Sequence, residues 1–189
     1  MGTRLCMRRI AVIVAALALS GLACGGDEQE KPPSPGSSES PACPQGTPAV
    51  KARDVIGRPP EDYRIVAGDR RALRRFADQV RAQAGHRWEG YDARVLVRRG
   101  RLNGVAVVVI NANEKTGSTE TFLRSSKRAE ERAGVPGEDI MIGAEPGRLR
   151  TGVDGGVIAT ALAGPCAITM LVADRESLVR DAAPLMTGA

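Results

Sequence analysis

The chain opens with an apolar run at 10–19 and then carries almost no hydrophobic side chain until about residue 48. Beyond that point apolar positions recur with recognisable periods. Tyr63-Arg64-Ile65-Val66-Ala67 reads as a short strand, and Asp69 is placed to cap a helix behind it. Over 70–84, Ala72, Leu73, Phe76, Ala77, Val80 and Ala84 share one half of that helix, and Gly85 stops it. Residues 86–92 read as a loop. A hairpin comes next, with strands at 93–97 and 105–110 joined through Arg98-Arg99-Gly100-Arg101. The first strand reads as half buried, with Gly104 suited to a bulge. The second is apolar throughout, which predicts a central strand covered on both faces.

Residues 111–119 lead into a second helix that ends near Ala133, with Gly134 and Pro136 as stops. Its apolar face is thin: Phe122, Leu123, Ala129 and Ala133. Pairs such as Glu120 and Arg124 lace its surface. The loop before it, with Lys115, Ser118 and Thr119, has residues that suit either phosphate binding or plain capping. A short strand at 139–142, a turn-rich stretch at 143–156 with extended structure near 148–153, and a hairpin of 157–163 and 166–172 about Gly164-Pro165 come next. Asp174 reads as the cap of a last short helix ended at Pro184.

These elements predict an α+β fold, an antiparallel sheet with helices packed on it. From 63 to 142 the order is β-α-β-β-α-β, the split arrangement of ferredoxin-like domains. The C-terminal hairpin would then extend that sheet and the last helix cover it. A single larger antiparallel sheet with helices on both faces is the competing architecture.

The opening run is flanked by Arg8-Arg9 and by Ser20-Gly21-Leu22-Ala23, which leads into Cys24. At roughly 10 to 14 residues it is short for a membrane span and fits a secretory signal. The cysteine behind small residues resembles the lipobox of bacterial lipoproteins. That resemblance covers about residues 1–25. It implies a diacylglyceryl group on the Cys24 thiol and a chain held to the membrane by its lipid. Cleavage elsewhere would leave an ordinary secreted protein. The expected organisation is signal 1–23, lipidated Cys24 with a tether to 47, and one α+β domain at 48–189.

The tether, GGDEQEKPPSPGSSESPACPQGT, cannot bury enough apolar surface to offset the entropy of ordering. Its 18 residues from 25 to 42 would span about 23 Å as a flexible coil and about 55 Å as polyproline. Cys43 and Cys166 are the two cysteines left after the signal and Cys24. Export makes their disulfide the expected pairing, rather than a reactive thiol or a metal pair.

Charge adds a location hint and few partners. Residues 25–47 are net −3 and residues 48–189 are net +5. This balance favours anionic envelope polymers over nucleic acid, since aromatic side chains make up only 3 % of the chain. Only 4 of the 27 basic residues are Lys, as in a GC-rich genome, and the expected site is the outer face of the cytoplasmic membrane of a high-GC Gram-positive bacterium. Two surfaces stand out. Arg70, Arg71, Arg74, Arg75 and Arg81 share the polar half of the first helix, as a basic patch or simply a solvated face. His86, Trp88 and Tyr91 concentrate scarce aromatics beside carboxylates, as a stacking site or as a cover on the core. No HExxH, GxSxG, SxxK or nucleotide motif occurs, and a single histidine leaves no catalytic set legible. The expectation is a non-enzymatic binding or accessory module for a protein or envelope polymer, without cofactor or metal. A small-ligand or sensor domain with an internal pocket is the alternative.

Overall fold

A computed structural model describes residues 42–44, 47–69, 71–76, 78, 88–101, 103–152 and 155–187. The signal run, Cys24 and the tether up to residue 41 lie outside them. The strands are β1 (Tyr63–Val66), β2 (Trp88–Arg98), β3 (Gly104–Ala112), β4 (Gly137–Ile142), β5 (Glu145–Thr151), β6 (Val157–Leu162) and β7 (Ala167–Ala173). Every residue of β6 and β7 is buried, as is all of β3 except Gly104 and Asn111. Strands with no solvent face need neighbours on both edges and cover on both faces. The sheet meets that demand with the order β1-β2-β3-β7-β6-β5-β4, every pair antiparallel. It consists of two meanders joined where Ala106 pairs with Val172 and Asn111 with Ala167.

The fold is therefore α+β, with helices on an antiparallel sheet. The ferredoxin-like arrangement of 63–142 is corrected by the strand order. The elements occur in the expected sequence, but β1 pairs directly with β2 instead of leaving a gap for an inserted strand. The C-terminal hairpin does not extend an edge either: β6 and β7 occupy the middle, where their two apolar faces can be covered. β5 is a full strand across a stretch that reads as mostly turn. Likewise β2 starts at Trp88, so 88–92 is strand rather than loop, and the bulge lies between Trp88 and Gly90, not at Gly104.

Helices cover both faces. They are α1 (Ala52–Ile56), α2 (71–76, with Asp78 also helical), α3 (Thr119–Ala133) and α4 (Glu176–Ala182), which runs into a 3-10 turn at Ala183–Leu185. α1 and α4 bury Val55, Ile56 and Val179 against Leu96, Val107, Leu149 and Leu171. α2 and α3 bury Leu73, Phe76 and Phe122 against Val95, Val108, Ile158 and Met170 on the opposite face. Each such large side chain taken from water contributes about 2–3 kcal/mol.

Capping follows the sequence in α2 and α3 and departs from it in α4. The Asp69 carboxylate accepts from the Arg71 N–H at 2.9 Å. Ser118 Oγ accepts from the Thr121 N–H at 3.2 Å, and Gly134 ends α3 with φ 63°, a left-handed turn that side chains disfavour. Asp174 does not cap α4. Its carboxylate accepts from Asn103 Nδ2 at 3.3 Å, and Arg175 stands at the cap position. α1 has no cap of its own, so Asp92 of β2 supplies one, accepting the Ala52 N–H at 2.9 Å.

One buried ion cluster ties α3 to the far edge of the sheet. Glu130 and Arg148 are both about 5 % exposed. Arg148 Nε donates to Glu130 Oε1 at 3.1 Å and Nη2 bonds the other oxygen, a two-point contact. Its Nη1 donates to Asp139 at 2.7 Å, and Lys127 reaches the same carboxylate at 3.3 Å. The bond to Glu130 pushes the Arg148 guanidinium above its ordinary range. The bonds from Arg148 and then Lys127 hold Asp139 below the usual carboxylate range. Arg150, 3.9 Å from Glu130, is lowered by burial. Gly137 makes room for this carboxylate, since a Cβ there would lie 2.6 Å from its atoms.

Candidate functional site

The first described residues are fastened to one end of the sheet. Cys43 and Cys166 form the expected disulfide, with Cα atoms 6.1 Å apart. The Cys43 N–H donates to the Asn113 carbonyl at 3.0 Å, and Ala42 bridges Glu114. Asn111 clamps the next segment. Its Oδ1 accepts the Val50 N–H at 2.8 Å and its Nδ2 donates to the Val50 carbonyl at 3.2 Å. Asn111 is the one polar side chain in an apolar strand, and this clamp is its reason. Between the segment and the Gly164-Pro165 turn lies a cleft of about 520 Å³, with Glu89 on its wall.

The other end of the strands carries a second cleft, of about 510 Å³, between the β2–β3 turn and α4. Arg98 comes from the end of β2, Arg101 from the turn, Arg175 from the cap position of α4, and Tyr63 from the start of β1. Leu96, Val105 and Leu178 line it with apolar surface. β3 runs from this cleft at Gly104 to the clamp at Asn111 and Ala112, so about 26 Å of extended chain separates the two ends. Asp62 accepts from Arg98 Nε at 3.0 Å. Among the described residues neither Arg101 nor Arg175 has a carboxylate partner. Burial, followed by the negative charge of Asp181, raises the Tyr63 phenol above its ordinary value.

Of the residues singled out by sequence, the described ones lie on the side of the sheet covered by α2 and α3. Arg71, Arg74 and Arg75 are exposed on α2, with Arg74 3.9 Å from Asp78. Tyr91 is 36 % exposed, and its cross-strand partner Ile110 belongs to the layer under α2 and α3. Trp88 pairs with Ala112, but its side chain, like Arg70, Arg81 and His86, lies outside the described residues. Sequence pattern alone does not reveal the cleft at the β2–β3 turn. Arg98 and Arg101 read there as a plain hairpin connection, and nothing local ties them to Arg175.

Among the described residues no helix is long and apolar enough to cross a membrane, and no three acidic, His or Cys side chains could hold a metal ion. The architecture and the two clefts define an α+β module with a fastened end and a basic end. The chain matches no protein-family model, no curated protein and no solved structure.

Proposed function

We propose that this chain is a membrane-tethered, non-enzymatic binding module that engages an anionic envelope polymer outside the cytoplasmic membrane, anchored through lipid on Cys24. The observation that carries this reading is the one-ended attachment of the body. Disulfide, bridge and Asn111 clamp hold residues 42–50 at one end of the sheet, and the basic cleft lies at the other end. Arginine suits such a role because its guanidinium is always charged and matches carboxylate and phosphate oxygens. Five of the described acids support binding over catalysis, since Glu130, Asp139, Asp62, Glu138 and Glu176 each face an arginine. The small-ligand alternative expects an internal pocket between sheet and helices, whereas the basic cleft opens at the surface.

The test uses the mature lipidated chain in vesicles of uncharged lipid, co-sedimented with purified envelope polymers. An anionic polymer should be retained at 20 mM salt and lost at least tenfold by 300 mM, because exposed charges are screened over about 10 Å or less. Retention that ignores salt, or equal retention of an uncharged polymer, would overturn the electrostatic reading. Arg71→Gln with Arg74→Gln and Arg75→Gln then measures the share contributed by α2.

A further inference from the structure

The cleft at the β2–β3 turn is more selective than a basic surface needs to be. Arg101 and Arg175, 74 positions apart in sequence, both line it, and among the described residues neither is paired with a carboxylate. Asp181 also lines the cleft as an acceptor, and the Tyr63 phenol as a donor. The floor of Leu96, Val105 and Leu178 is apolar. Two guanidiniums fit one phosphate or carboxylate group. A carboxylate acceptor and a phenol fit hydroxyls, and an apolar floor fits the C–H face of a ring. The negative Asp181 also disfavours a densely charged polyanion, which would bring further charges against it. The volume lies within the roughly 300–1,000 Å³ of small-ligand sites.

We propose that this cleft binds a single anionic sugar unit, a hexose that carries one phosphate or carboxylate. This deepens the reading of the chain as an envelope-polymer binder and rests on it: the cleft would hold one charged residue of the glycan. Arg101 and Arg175 hold the anion, and Asp181 with Tyr63 holds the hydroxyls. Arg98, already engaged by Asp62, adds its field from the rim.

Isothermal titration of the mature chain with glucose 6-phosphate, glucuronate, glucose and inorganic phosphate tests it. At least one of the two anionic sugars should bind with a Kd of about 1 mM or tighter. Glucose and inorganic phosphate should each bind at least tenfold more weakly. Arg101 and Arg175 are exposed, so Arg101→Gln with Arg175→Gln should leave the fold intact and weaken the anionic sugar at least tenfold. Arg71→Gln with Arg74→Gln should change it less than twofold. Inorganic phosphate that binds as tightly as the sugars would overturn the proposal. So would unchanged binding in the Arg101/Arg175 variant, or the lack of binding by both anionic sugars up to 10 mM. The two readings fail separately. A chain that takes the sugars in this cleft but retains no polymer keeps the cleft and loses the polymer reading. A chain whose polymer retention ignores Arg101 and Arg175, with no sugar bound, does the reverse.

Discussion

Glu130 is the side chain whose loss the structure penalises most clearly. It is buried between α3 and β5, bonded at both oxygens to Arg148, with Arg150 3.9 Å away and Gly137 shaped around it. Glu130→Ala removes one negative charge and leaves the Arg148 guanidinium facing a void. Asp139 still reaches Arg148, but Asp139 is largely exposed and does not replace the two-point contact. Breaking a buried pair from one side costs about 3–5 kcal/mol, most of it the stranded charge. For a body of this size each kcal/mol moves Tm by about 3 °C, so the variant should melt about 9–15 °C lower. The assay is urea unfolding followed by circular dichroism, paired with a thermal scan. Two further variants separate charge from volume. Glu130→Leu with Arg148→Met replaces the pair by apolar groups and should recover most of the loss, because the desolvation cost goes with the charges. Gly137→Ala should be costly in the wild type and much less so beside Glu130→Ala, where the carboxylate it would strike is gone. A loss below about 1 kcal/mol for Glu130→Ala, or strict additivity of the glycine and glutamate changes, would refute the account.

Three more expectations concern other parts of the molecule. Replacing both Cys43 and Cys166 by Ser opens a loop of 123 residues and should cost about 4–5 kcal/mol in the chain-entropy account, measured by urea unfolding with and without reductant. Asn111→Ala strands the Val50 N–H and carbonyl, so it should cost about 1–3 kcal/mol and speed amide exchange at 47–51 while the sheet stays protected. Asp139, depressed by Arg148 and Lys127, stabilises the fold above its unfolded value near about 3.9, and that contribution is lost as pH falls through its lower folded value. Asp139→Asn should therefore narrow the gap in stability between pH 6 and pH 2.5; an unchanged gap would show that other carboxylates carry the acid sensitivity.

The sequence discloses those features whose cause is local. The run Val105-Ala106-Val107-Val108-Val109-Ile110 has no polar face, so its central position is legible from residue type alone. Ser118 and Gly134 bracket α3 as their chemistry requires, and the cysteine pair follows from compartment and count. The hidden features depend on distant partners. Asp92 and Glu89 make the start of β2 look like a loop, yet Asp92 is there to cap α1, 40 positions away. Glu130 and Arg148 look like surface charges because each is unremarkable in its own element, and their burial exists only once α3 crosses β5. Strand order is illegible for the same reason: alternation and apolar runs say how much of a strand is covered, never by which neighbour. The clefts share this fate, since Arg101 and Arg175 come to line one cleft only through the β3–β7 pairing.

That pairing also sets a timetable. A chain made from its N-terminus produces β3 long before β7, and Ala106 must wait 66 residues for Val172. Until then the first meander ends in an open edge of almost unbroken valine and isoleucine, and the second ends in β6, apolar on both sides. Each half-sheet displays to its surroundings the surface best able to stick to a like strand from another molecule. The final join involves contacts between remote residues, which slows its formation. Cys166 immediately precedes the last strand, so the disulfide can form only as this join is made. Yield of the native protein should thus depend on how quickly the last quarter of the chain arrives. A premature stop after β6 would release a sticky fragment rather than a smaller stable domain.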